Sequence, residues 1–521
     1  MQNTENRLED NRYIMQNRAE NSMRNMLWAT AHKIVGLIIP FFMRTLLIYL
    51  LGMEYVGLST VFGSVLQVLS LAELGFGAAI VYALYKPIAD EDTEKICALM
   101  NTFKKIYRII AGIVLVVGIS LTPFIPKLIT GSIPDEVNIY VLYYIYLGNT
   151  VASYAMFAYR RVLFLAHRRQ DIDDKISTGI QFFCYLAQAV FLFATKNYYL
   201  YVIVLPIQNI LANIAIAIMA SRKYPDYRPY GKLKNEEIRE ISKKVKSLCF
   251  HKFGNTISNS FDSIIVSTFL GLQIVAMYGN YYYVVSVVLS FLTIFYTSIM
   301  ASLGNSIATE SVEINYCIFE KLSFLNFWVR TVCTACLLCL YQPFMRIWAG
   351  NDNLLGVSSV ICFSLYFYIF SGRKIVLTFK DAAGLWEADQ WKPIVGGVFN
   401  LFVNICLVKT IGVNGVVIST ILSHLLVEIP WETCVLYKQY FNKKPIEYFL
   451  QCVIQLIISV CICAITFGVC RLVISYSIFA LLVRACICCI VPNLILALLY
   501  HKDERFDYLM KTGKKVLHVK S

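Results

Sequence analysis

His32-Lys33, an apolar run interrupted only by Pro40 and Arg44, and then Leu51-Gly52-Met53-Glu54-Tyr55-Val56-Gly57-Leu58 form the stretch that decides the fold. A second apolar run follows and ends in Leu71-Ala72-Glu73-Leu74-Gly75-Phe76-Gly77. Each run is long enough to cross a bilayer, which takes about 20 apolar residues. A Gly-marked turn joins them, and each holds one ionisable residue. A charge inside a membrane helix is costly and marks a pathway or a partner.

The rest of the chain has the same character. Of 521 residues, 58% are hydrophobic and only 15% charged, where a soluble chain carries about 25%. Apolar runs fall near residues 27–51, 55–85, 106–130, 138–165, 175–195, 198–221, 248–270, 273–305, 318–341, 354–380, 393–410, 412–437, 446–470 and 475–500. They predict an all-α polytopic membrane protein of about 14 spans. The runs are too long for the alternating ten-residue strands of a β-barrel. Residues 1–26 are polar and mixed in charge, without the apolar core of a cleavable signal peptide.

Charge sets the expected orientation. The connections 160–175, 222–252, 373–392 and 438–444 and the tail 502–520 are basic, while those of the opposite phase are short and nearly uncharged. By the positive-inside rule both termini and the basic loops are cytoplasmic. The net charge of +14 is spread over these loops, which argues against nucleic acid as a partner. Residues 235–246 read as a short amphipathic helix, with Ile238, Ile241 and Val245 on one face. No phosphate-cradling loop occurs in the linker, so no ATPase is expected there.

A shift of 219 residues lays the opening stretch on a second copy: His32-Lys33 on His251-Lys252, and Leu51-Gly52 on Leu270-Gly271. The shift carries the first span onto the seventh, so the two halves face the same way. The expected organisation is a cytoplasmic segment 1–26, a six-helix lobe 27–221, a basic linker 222–247 and a second six-helix lobe 248–440. An appended helix pair 441–500 and a tail 501–521 complete it. Parallel repeats of this kind belong to alternating-access carriers.

The Leu51–Leu58 turn followed by Ala72-Glu73-Leu74-Gly75-Phe76-Gly77 resembles the bacterial flippases for lipid-linked oligosaccharides of O-antigen and capsule synthesis. These belong to the multidrug/oligosaccharidyl-lipid/polysaccharide (MOP) exporter superfamily. The resemblance implies two bundles in a V around a cavity, in the bacterial cytoplasmic membrane. It implies as cargo an undecaprenyl-pyrophosphate-linked glycan, moved from the cytoplasmic to the outer leaflet. The polysaccharide polymerase and chain-length machinery are then candidate partners.

Such a cargo asks for cations, and arginine suits pyrophosphate through its planar fork of donors. Arg44, Arg330 and Arg484, each inside an apolar run, are the candidates, with Lys33 and Lys252 at the mouth of each half. Glu73, Asp262 and the His424–Glu428 pair, four residues apart, are candidates for coupling to H+ or Na+. The tyrosines at 140–146 and 281–283 suit interfacial belts or packing. Gly396, Gly397, Asn400 and Asn404 form a small, polar face for close helix contact. Most of the cysteines, among them Cys333, Cys336 and Cys339, sit in apolar runs and read as small hydrophobes, so neither a metal nor another cofactor is expected. A cation-coupled multidrug exporter on the same scaffold is the alternative. An enzyme, such as a membrane-embedded polymerase, is disfavoured by the short outer loops.

Overall fold

The computed structural model describes residues 2–70 and 76–516, and these contain helices and no strand. Glu73 lies outside the described residues. The chain divides into two compact units, 1–256 and 257–521.

Unit 1 holds α1 (Gln2–Leu50), α2 (Met53–Leu69), α3 (Phe76–Ala89), α4 (Thr93–Leu121), α5 (Ile125–Leu128), α6 (Ile139–Ala155), α7 (Arg161–Ala166), α8 (Gln170–Thr195) and α9 (Tyr198–Lys223). The helix α10 (Asn235–Leu270) runs from unit 1 into unit 2. Unit 2 continues with α11 (Leu272–Thr309), α12 (Val312–Ala349), α13 (Val357–Ala382), α14 (Lys392–Ile411), α15 (Val413–Ser423) and α16 (Ile429–Leu436). The chain then forms α17 (Ile446–Cys470), α18 (Ile478–Tyr500) and α19 (Glu504–Val516).

Among the described residues eleven helices are long and apolar enough to cross a membrane. Three of the expected spans depart from that ruler. The run 55–85 falls on α2 and α3, with residues 71–75 between them outside the described residues. The run 138–165 breaks after α6, where Phe157 takes a left-handed conformation (φ 58°) and a separate short α7 follows. The segment 235–246 is no separate helix: it runs on into the expected span 248–270 as α10, of which Ser260–Leu270 is the apolar portion with described side chains.

The repeat is visible in the backbone. α1 ends at Leu50 and Gly52 caps α2 with φ 117°, ψ 174°; α10 ends at Leu270 and Gly271 caps α11 with φ 95°, ψ 171°. Positive φ at this extended ψ is a glycine conformation, so the two Leu-Gly pairs match because both turns need it. Helix pairings repeat as well. In unit 1, α4 packs on α6, α6 on α9 and α8 on α9; in unit 2, α12 packs on α13, α13 on α15 and α14 on α15. The pair α17 and α18 is added beside α12.

The polar residues of α17 face inward and its apolar ones outward. On α17 the buried side includes Gln455, Ser459, Cys463 and Thr466, while Leu450, Val453, Ile457 and Val460 are exposed. This is the pattern expected where lipid, not water, surrounds the bundle. Rings fill the core: Phe319, Phe379, Tyr437, Phe441 and Tyr448 meet in unit 2, and Tyr146 stacks on Phe62 in unit 1 with centroids 5.5 Å apart.

Candidate functional site: a buried polar seam and an arginine-lined cavity

Lys392, Gly396, Asn400 and Asn404 recur every four residues along α14, and all are buried. That row is about 18 Å long at 1.5 Å per residue, and it faces α15 and the turn at 424–428. The Gly396 carbonyl accepts from Ser423 Oγ at 2.9 Å. Asn400 Nδ2 donates to Thr420 Oγ1 at 3.0 Å. Asn404 Nδ2 donates to Asp262 Oδ1 at 2.6 Å. Small residues let the backbones approach, and the amides supply the polar contacts that lipid cannot.

Asp262, only 5% exposed, closes one end of this seam. Besides Asn404 it accepts from Thr420 Oγ1 at 3.2 Å and from the Tyr278 hydroxyl at 3.4 Å. No lysine or arginine among the described residues pairs with it. The Oδ1 atoms of Asn400 and Asn404 are buried without a hydrogen-bond partner. Asp262 thus meets an amide N–H and two hydroxyls, and the two spare amide carbonyls lie on the same face of α14.

Ions crowd the other end. Arg373 donates to Glu432 twice, at 2.7 and 2.8 Å, and pairs with Glu428. Lys380 and Lys392 both reach Asp389 Oδ2 at 2.6 Å, and Lys392 also pairs with Glu432. His424 Nδ1 lies 3.0 Å from Glu428 Oε2. Arg373, Lys380 and Lys392 are balanced by Asp389, Glu428 and Glu432 inside and by Asp381 at the rim. Burying charges is tolerable only when each is matched in this way. The helix is widened at His424–Glu428, where the Ile429 N–H reaches the His424 carbonyl five residues back. Wide turns of this kind collect at functional sites. Rings connect the two ends: Tyr278 stacks with Tyr282, Tyr282 lies beside Tyr366, and Tyr366 stacks on His424.

A cavity of about 400 Å³ opens beside the seam, with Arg330, Tyr368, Arg373, Glu432, Tyr448 and Cys452 in its wall. Arg330 is 6% exposed. Its Nη2 donates to Gln455 Oε1 at 2.7 Å, its guanidinium lies 4.4 Å from the Tyr368 ring centroid, and its Nε has no hydrogen-bond partner. No carboxylate among the described residues pairs with it. The side chain passes so near α13 that a Cβ on Gly372 would stand 1.9 Å from Nη1.

The other sequence candidates are dispersed. In unit 1, Arg44 Nη2 lies 3.5 Å from Thr60 Oγ1. Lys33 is half-buried next to His32, whose Nδ1 is 2.8 Å from Thr178 Oγ1. Lys252 lies in α10, with its side chain outside the described residues. Arg484, 6% exposed, donates to the Val473 carbonyl and lies over Tyr476. A second cavity of about 400 Å³, lined by Tyr82, Lys86, Lys95, Leu233, Glu237 and Ile241, separates the linker from α3 and α4. There Lys95 binds Glu237 at 2.6 Å and holds its carboxyl below the usual range.

By its charge the sequence marks 373–392 as a basic cytoplasmic loop. Arg373, Lys380 and Lys392 are instead buried ion-pair partners; of their carboxylates only Asp389 is near in sequence, three residues before Lys392, while Glu432 lies 40 residues beyond it. The expected packing face on α14 holds, and Asn404 also serves Asp262. His424 and Glu428 meet as expected, with Arg373 as an unforeseen third member.

Membrane-spanning helices, a half-chain repeat and polar groups buried between helices define a membrane protein of transporter fold. The chain belongs to the polysaccharide biosynthesis protein family, whose model matches residues 22–300, more than half of its length. No curated protein sequence gives a significant match. Among solved structures, the chain is similar to the lipid II flippase MurJ in an inward closed conformation. That match has 15% identity and a TM-score of 0.66, covering 91% of this chain and 99% of that one. It is also similar to an inward-facing multidrug resistance MATE family transporter of the MOP superfamily (13% identity, TM-score 0.59, 78% and 94% covered). A MOP superfamily transporter from Pyrococcus furiosus, described as having a binding pocket of reverse polarity, matches with 13% identity and a TM-score of 0.52 (81% and 96% covered). At such identities the likeness is one of fold.

Proposed function

We propose that this chain is a flippase, not an enzyme, that moves an undecaprenyl-pyrophosphate-linked oligosaccharide repeat from the cytoplasmic to the outer leaflet of the bacterial cytoplasmic membrane. It does so by alternating access, for surface polysaccharide synthesis, with both termini cytoplasmic. The observation that carries this reading is Arg330, a buried guanidinium with no carboxylate partner in the wall of a cavity. An unmatched buried cation is costly by itself, and a pyrophosphate would match it. The family and the fold support the same direction.

Coupling is assigned to Asp262. With Asn404 turned over, so that its carbonyl faces inward, Asp262, Asn404 and Thr420 offer oxygens to Na+; protonation of the carboxyl is the other way to discharge the site. The orientation of an amide follows its neighbours, so either state is compatible with the backbone.

The test uses proteoliposomes with a tagged polyprenyl-pyrophosphate oligosaccharide, scored by its exposure to an added lectin. Wild type should expose it, Arg330→Ala should lose at least about 90% of the rate, and Asp262→Asn should lose dependence on an imposed Na+ or H+ gradient. Full activity of Arg330→Ala would remove the cargo role. Uptake of a cationic dye without glycan exposure would make the chain a multidrug exporter.

A further inference from the structure

Three helices of unit 2 bring their thiols to one point. Cys339 of α12, Cys470 at the end of α17 and Cys488 of α18 place their Sγ atoms within 4.8 Å of one another, and all three are buried. Cys470 Sγ lies 3.7 Å from Cys488 Sγ. Cys336, one turn before Cys339, packs against the trio with Leu340, Phe467 and Ile487. The spacing of Cys333, Cys336 and Cys339 in sequence gives no hint of this, because two of the three thiols come from the appended pair.

The distances suit a bound ion. Three sulfurs around an ion at about 2.3 Å, the ordinary metal–thiolate distance, stand about 4.0 Å apart. Softness follows from the donors, which are all sulfur. A charge argument points the same way. Arg484, one turn before Cys488 on α18, is buried; no carboxylate among the described residues pairs with it, and its Nη1 has no hydrogen-bond partner. Its own carbonyl is the atom that Cys470 Sγ approaches, at 4.0 Å.

We propose that Cys339, Cys470 and Cys488 bind one Cu(I) ion and so pin α17 and α18 to α12. Loading displaces two thiol protons to solvent and leaves the third thiol neutral. The ion with two thiolates carries one negative charge, and the Arg484 guanidinium offsets it. Cu(I) accepts three-coordination by sulfur, whereas a structural zinc site is almost always four-coordinate.

The full-length protein, purified anaerobically with reductant, is titrated with Cu(I) against bicinchoninate. One equivalent should bind. Cys470→Ser and Cys488→Ser should each weaken binding by at least about tenfold, while Cys461→Ser, at an exposed thiol, should match wild type. X-ray absorption of the loaded wild type should show three sulfur neighbours, which keeps the test open if a serine variant fails to fold. Substoichiometric binding, equal weakening by Cys461→Ser, a first shell of nitrogen or oxygen, or a Cys470–Cys488 disulfide in the anaerobic protein would each overturn the proposal.

Discussion

Replacing Gly372 by alanine sets two known effects against each other. Glycine in a helix interior costs about 1 kcal/mol relative to alanine, so on α13 the substitution alone should stabilise. The new Cβ, however, would stand 1.9 Å from Arg330 Nη1. Ordinary contact needs about 3.5 Å, so the guanidinium must retreat by roughly 1.5 Å. That retreat breaks its 2.7 Å bond to Gln455, and a hydrogen bond to a charged group is worth about 1.5–3 kcal/mol. The net expectation is a loss of about 0.5–2 kcal/mol, or a fall of roughly 1–8 °C in Tm for a unit of this size. In an Arg330→Ala background the obstacle is gone, and Gly372→Ala should stabilise by about 1 kcal/mol. Thermal unfolding of wild type, both single variants and the double variant in detergent measures the coupling. If Gly372→Ala is as stable as wild type, or its effect is the same in both backgrounds, the placement of Arg330 against α13 is wrong.

Other outcomes can be checked beside it. Arg44→Ala should stop glycan export while the protein stays inserted, and Arg44→Lys should restore part of it, since lysine keeps the charge without the planar fork; export assays and membrane fractionation separate the two effects. Glu432→Gln strips Arg373 and Lys392 of a fully buried partner and should cost about 3–5 kcal/mol, read as a lower Tm or lost expression. The Lys95–Glu237 contact should matter little: because the folded carboxyl titrates below its ordinary value, the contact contributes fully above about pH 4.3 and is lost as pH falls through the lowered value. At this half-exposed site it is worth at most about 1 kcal/mol, so Glu237→Gln should barely move Tm at neutral pH, and any difference should vanish in acid.

The positions of the spans were legible because lipid imposes one requirement, length of apolar run, and the chain meets it repeatedly. The Leu51-Gly52 and Leu270-Gly271 turns were legible because a positive φ restricts the residue to glycine. Asp262 stood out as an isolated charge in an apolar run. Its partners did not, since Asn404 and Thr420 lie about 150 residues away and only the packing of α14 and α15 delivers them. Arg373, Lys380 and Lys392 misled for a different reason. A cation near a helix end looks the same in sequence whether it meets water or a buried carboxylate, and the deciding groups, Asp389 and Glu432, sit on other elements. The gathering of Cys339, Cys470 and Cys488 depends on how the last two spans dock, which no local pattern encodes.

The widened turn at His424–Glu428 seats one residue more than an ordinary turn, and a second such turn follows at Tyr437–Phe441. Deleting one of the exposed Leu425 or Leu426 would restore ordinary winding and leave Glu432 near its place, whereas an added residue would swing the rest of the helix by about 100°, taking Glu432 away from Arg373 and Lys392. This stretch should therefore accept changes at the exposed Leu425 and Leu426, hold His424 and Glu428 fixed, and lose a residue more readily than it gains one.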